Sequence, residues 1–160
     1  MAVVTTKGSI NIEGLNASPV VLNSKLFNSP ALRQVETVAI AAADDDTSTY
    51  TIARVPSNAV LSNQSEIEND AITGGTDFNV GFYNIDGTVI DDNALLDALS
   101  LASATTTKLL SGIDKNIRGN QVWQLAGLAS DPKTLIDIVL TSVTVGSAAG
   151  DVTMETFYTV

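Results

Sequence analysis

The 160-residue chain contains no cysteine and no histidine. Those absences exclude disulfides, thiolate nucleophiles, zinc fingers, imidazole bases and every Ser-His or Cys-His dyad. Charge is sparse as well: 16% of the residues are charged against 44% hydrophobic. The apolar set is Ala, Val, Leu and Ile interspersed with Thr, Ser and Asn, a β-rich palette. One Trp, three Tyr and four Phe are spread over the whole length, so no sugar-stacking platform stands out. The glycine-rich phosphate and dinucleotide loops GxxxxGKS/T and GxGxxG are missing, as is the nucleophile elbow GxSxG. No run approaches the roughly 20 apolar residues of a membrane-spanning helix. The opening MAVVTTKGSINIEG lacks the charged leader and long apolar core of a signal peptide. A soluble protein made in the cytoplasm, with no membrane partner, is the expectation.

What is present is acid, unevenly placed. The net charge is −10. Residues 1–34 carry Lys7, Lys25 and Arg33 against Glu13, whereas residues 35–160 carry five bases and 17 acids. Nucleic-acid binders gain affinity by releasing counterions to Lys and Arg, so nucleic acid is not an expected partner of this acidic body.

Length allows one domain with a real core. Residues 1–34 read as an extended arm, with Pro19 and Pro30 and no sustained period of two or 3.6. The arm holds too many apolar side chains for a free tail. Val20, Leu22, Leu26 and Phe27 are its candidate partner-binding residues, docking on an adjacent subunit or folding back on the body. Residues 35–160 form the body. ETVAIAAA, the turn DDDTS and TYTIARV read as a hairpin ending at Pro56, its first strand covered on both sides. AVLSNQSEIEN continues as a strand with acids outward. Phe78, Val80 and Phe82 alternate with Asn79, Gly81 and Tyr83 in another. In ALLDALSLAS, Leu95, Leu99 and Ala102 fall at helical spacing, with Asp91 or Asp92 placed to cap the first turn, so a short helix is expected near Asn93 to Ser103. TLIDIVLTSVTV, GSAAG and DVTMETFYTV read as a terminal hairpin. The predicted fold is mainly β: a β-sandwich or jelly-roll-like domain with that one helix and the arm.

Two acidic stretches invite a metal reading. NVGFYNIDGTVIDD, aligned as an EF-hand loop on Gly87, places Phe82, Asn84, Asp86 and Asn93 where oxygen ligands and a final Glu are needed, so the first and last ligands fail. A strand-to-helix turn is the better account. Asp44-Asp45-Asp46 reads as a solvated hairpin tip that discourages edge aggregation. Glycosidase chemistry needs two carboxylates across a cleft, and 18 acids single out no pair. No catalytic residue, metal ligand or cofactor site is assigned.

From Ala53 to Val160, "ARVPSNAVLSNQSEIENDAITGGTDFNVGFYNIDGTVIDDNALLDALS" and then "VWQLAGLASDPKTLIDIVLTSVTVGSAAGDVTMETFYTV" resemble small virion proteins of tailed bacteriophages. A proline-terminated strand, the "GTDFNVGFYN" strand, an acidic turn with a helix and a DP-hairpin-aromatic ending recur there in this order. The resemblance implies a non-enzymatic capsid decoration or cement protein on the head exterior. Its implied partners are the major capsid protein and further copies of itself, as a dimer or trimer. A tail or head-completion component would carry the same features. A carbohydrate-binding or adhesive module is the reading from another class, with Tyr50, Phe82, Tyr83 and Trp123 as candidate platform residues.

Overall fold

Valine, threonine and isoleucine runs set the strands. The computed structural model describes residues 5–7 and 31–160. In chain order the strands are β1 (Thr5–Lys7), β2 (Leu32–Ile40), β3 (Thr49–Pro56), β4 (Val60–Leu61), β5 (Glu66–Asn69), β6 (Asp77–Asn84), β7 (Val89–Leu99), β8 (Thr105–Lys108), β9 (Leu135–Thr144) and β10 (Gly150–Thr159). A four-residue helix, α1 (Val122–Leu125), precedes β9. The first sheet has the order β1-β3-β9-β6-β7, and the second β2-β10-β5-β8 with β4 added to β10. The result is the expected β-sandwich.

The core lies between the sheets. Tyr50, Val80, Phe82, Ile138 and Leu140 of the first sheet and Val38, Ile40, Ile67, Val152 and Met154 of the second are all buried. Each large side chain so removed from water contributes about 1.5–3 kcal/mol before ordering costs. β2 alternates strictly, with Gln34, Glu36, Val38 and Ile40 buried and Arg33, Val35, Thr37 and Ala39 exposed. It is therefore covered on one face, where its small apolar residues suggested two.

Both expected hairpins around β2–β3 and β9–β10 are instead crossings between sheets. β2 pairs with β10 and β3 pairs with β9. The acidic turn makes the first crossing possible. Asp44 is buried, accepting hydrogen bonds from the Ala41 N–H (2.9 Å) and the Tyr50 hydroxyl (2.6 Å). Asp46 accepts from the Val145 N–H at 3.0 Å, and the Thr47 N–H donates to the Ser142 carbonyl at 2.8 Å. All three aspartates thus satisfy backbone donors, and Asp44 a buried phenol as well, so the segment is a bolt between sheets and not a solvated tip. The second crossing turns at Gly146, whose φ of 88° and close approach to the Gly75 nitrogen leave no room for a Cβ.

The helix expected near Asn93 to Ser103 is not formed: residues 93–99 belong to strand β7 and residues 100–103 to the connection after it. The register of β7 to β6 slips repeatedly: Phe82 faces Asp91, whereas Val80 faces Leu96. The extra residues form a wide bulge that sets Leu95 and Leu96 both inside. That bulge breaks the two-residue period and mimics a helical one. Ala98 at φ 53° excludes a continuous helix, and its N–H is taken by the Asn79 side chain. The run AVLSNQSEIEN is likewise broken into β4 and β5, with Glu66 and Glu68 outward as expected.

Both ends of the arm's sequence range lie in the sheets: Thr5–Lys7 pairs in parallel with Thr49–Thr51, and β2 starts at Leu32. Val20, Leu22, Leu26 and Phe27 lie outside the described residues.

Candidate functional site

The stretch that imitates a metal loop is a strand, a turn and the next strand. The Asn84 N–H donates to the Thr88 carbonyl (2.8 Å) and the Gly87 N–H to the Asn84 carbonyl (2.9 Å). Gly87 has φ 89°, a conformation that favours glycine. The Asp86 carboxylate accepts the Thr88 N–H at 2.9 Å. That bond first, and the Thr88 hydroxyl second, hold the Asp86 carboxyl below the usual carboxylate range. Asp86 thus closes its own turn. Among the described residues, no group of three or more His, Cys, Asp or Glu side chains is placed to hold a metal ion.

Ile85 within this turn and Val89 just after it are exposed, at 46% and 54%. Beside it opens a pocket of about 240 Å³ lined by Thr49, Thr51, Tyr83, Asn84, Asp86, Gly87, Asp137 and Val139. Asp86 and Gly87 form its exposed rim, and Tyr83, Asp137 and Val139 are buried. The pocket belongs to the outer face of the first sheet, since register places Thr51 opposite Val139, Arg54 opposite Asp137, and Asp137 opposite Tyr83. Here Arg54 grips Asp137 with two hydrogen bonds, one from Nε and one from Nη2 at 2.8 Å, both residues being almost wholly buried. The Tyr83 hydroxyl and Thr141 share a 2.7 Å hydrogen bond. Burial pushes the Tyr83 phenol up, with the Thr141 hydrogen bond opposing and the Asp92 charge adding to the rise.

A second groove, of about 430 Å³, runs between the edge strands β7 and β8 and is lined by Leu95, Leu96, Leu99, Ser100, Thr107 and Gly112 among others. Elsewhere the polar clusters serve structure. The Ser57 hydroxyl donates to Asp131, which also accepts the Lys133 N–H at 2.9 Å, and these two bonds keep that carboxyl low. Asn69 donates to the carbonyls of Leu101 (3.1 Å) and Ser103 (2.9 Å) and accepts from the Thr105 hydroxyl (3.1 Å), holding the β7–β8 connection.

Of the four aromatic candidates for a sugar platform, Tyr50, Phe82 and Tyr83 are buried, and only Trp123 reaches partly to solvent. The structure does not bring them together on an exposed face. Sequence reasoning passed over Arg54 and Asp137. The usable signal was a lone charge in each of two apolar strands, TYTIARV and TLIDIVL, with opposite signs, which is the pattern of a buried pair. It also passed over Ile85 and Val89, which are exposed within and just after the turn.

No protein-family model matches the chain, and no curated protein matches it. The fold is shared with a solved chain of "Capsid of Ralstonia phage GP4", at 12% identity and a TM-score of 0.62, covering 99% of this chain and 97% of that one. A chain of "Cyanophage Pam1 capsid asymmetric unit" is 16% identical over 91% of this chain and 95% of that one, and its TM-score of 0.47 is too low to define a common fold. Among the described residues, no helix is long and apolar enough to cross a membrane.

Proposed function

We propose that the chain is a non-enzymatic structural protein of a tailed-phage virion, a decoration or cement protein that binds the outer head surface and bridges capsomers. The observation that carries this reading is the end-to-end fold similarity, 99% of this chain on 97% of the other, to a chain of a phage capsid. The sequence resemblance to small virion proteins supports it independently. So does the use made of several polar groups: Asp44 and Asp46 tie the sheet crossing, Asp86 closes its own turn and Arg54 pairs with Asp137. The partner is the major capsid protein, and the protein acts as a dimer or trimer. Acid on the body suits the outside of a shell that encloses DNA, because it is repelled by phosphate.

The mechanism is mass action. A protein that binds the assembled shell and not its separated subunits stabilises assembly by its binding free energy. An interface of about 1,600 Å² is enough for specific attachment. Val20, Leu22, Leu26 and Phe27 of the arm add apolar contact with the adjacent subunit. Shells carrying the protein are expected to melt at a higher temperature, by calorimetry, than shells stripped of it. Identical melting overturns the cement role.

A further inference from the structure

We propose that the β6–β7 turn and the pocket beside it are a docking surface for a neighbouring chain of the assembly. Ile85 and Val89 pack on an apolar patch of that neighbour, and one of its lysine or arginine side chains enters the pocket. This rests on the virion reading above and names the surface that reading leaves open.

Large exposed hydrophobic residues are few among the described residues: Val35, Ile85, Val89, Ile117 and Val143. Two of the five lie within or next to one turn. The turn is held by its own hydrogen bonds and by glycine geometry, so it presents both side chains with little ordering cost on binding. The pocket lies against the same turn, because Asn84, Asp86 and Gly87 line it. At about 240 Å³ it is smaller than the roughly 300–1,000 Å³ of small-molecule sites. It suits one long side chain better than a whole ligand. Among the described residues that line it, the polar groups are rich in acceptors and include no Lys or Arg: the Asp86 and Asp137 carboxylates, the Asn84 amide and the hydroxyls of Thr49, Thr51 and Tyr83. Arg54 already balances Asp137. The charge left to a visitor is Asp86, held ionised by Thr88, and an anion would meet it with repulsion. An apolar pair beside an acceptor-lined pocket is complementary to a basic residue set among apolar ones.

The test uses the full-length protein, heads of its phage stripped of it, and binding measured by co-sedimentation. The double variant Ile85→Ser, Val89→Ser is expected to bind about tenfold more weakly or worse, with an unchanged melting temperature because both side chains are exposed. Asp86→Asn keeps an oxygen for the Thr88 N–H and removes the charge, and it is expected to weaken binding several-fold and to flatten its salt dependence. Wild-type affinity in the double variant overturns the docking surface while the virion reading stands. Unchanged affinity and salt slope in Asp86→Asn overturn the cationic visitor. If the double variant instead loses self-association of the free protein and keeps head binding, the turn serves a second copy and the proposal falls. Wild-type protein that does not bind the heads overturns both readings.

Discussion

The two sheets of the sandwich enclose a mainly apolar interior, with Gln34, Glu36 and Thr156 of the second sheet buried on its inner face, and differ in what lies on their outer faces. On the second sheet that face is open: Arg33, Val35, Thr37 and Ala39 of β2 are exposed, and Glu155 with Arg33, Thr153 with Thr37, and Lys108 with Glu66 form partly or fully solvated pairs. On the first sheet the corresponding face is buried although it is polar, with Thr51, Arg54, Asn79, Tyr83, Asp137 and Thr141 all inaccessible or nearly so. Polar groups cost little where water solvates them and much where it does not. Similar chemistry, a salt bridge and a hydroxyl pair, therefore has different energetic weight on the two sheets.

Mutations on the two faces should separate accordingly. The largest effect is expected from Asp137→Ala, which leaves the Arg54 guanidinium buried without its bidentate partner. A loss of about 3–5 kcal/mol is expected in chemical denaturation. A loss below 1 kcal/mol would mean that the outer face of the first sheet is wet in solution, and the contrast would fail.

Next comes Tyr50→Phe. Asp44 would lose the phenol hydrogen bond inside the sheet crossing, at a cost of about 1–3 kcal/mol. The same residue sets an alkaline limit. Burial, then the hydrogen bond to Asp44 and its charge, raise the Tyr50 phenol well above its ordinary value of 10.0. Tyr83 and Tyr158 are raised too, chiefly by burial. A folded-state pKa above the unfolded one gives stability that is fully present below the unfolded value and is lost as pH rises beyond it. Stability should therefore be insensitive to these groups below about pH 10 and fall above it. Tyr50→Phe should make that fall shallower, as followed by denaturation at a series of pH values.

The smallest effect is expected on the second sheet. Arg33 is 60% exposed, so Arg33→Ala removes its bond to Glu155 and its approach to the Phe157 ring at about 0–1 kcal/mol, diminished by salt. A loss as large as that of Asp137→Ala would show that this face, too, is covered in solution.

The strand content was legible because alternation and β-branched residues are local signals. Phe78, Val80 and Phe82 declared their inward face, Pro56 declared the end of β3, and Glu66 and Glu68 declared the solvent side of β5. The helix expected over residues 93–103 failed for an equally physical reason. A bulge in β7 adds residues against β6, and two adjacent leucines then turn inward, a pattern that local spacing reads as a helix. At the candidate docking site, the Asp-Gly turn was legible from its residues. The pocket was not, since its walls come from β3, β6 and β9, which lie far apart in the chain.

By itself the sequence determined that disulfide, thiolate and imidazole chemistry is excluded, since cysteine and histidine are lacking, and that the palette is β-rich and the charge balance acidic. Only the tertiary structure decided which strand lies beside which. A run such as ETVAIAAA or TLIDIVL carries the same backbone donors and acceptors toward any partner, and short loops make the adjacent strand the natural guess. The buried carboxylate of Asp44 and the close approach of Gly146 to Gly75 accompany the two connections that cross to the opposite sheet instead, and those contacts exist only once the two sheets have met.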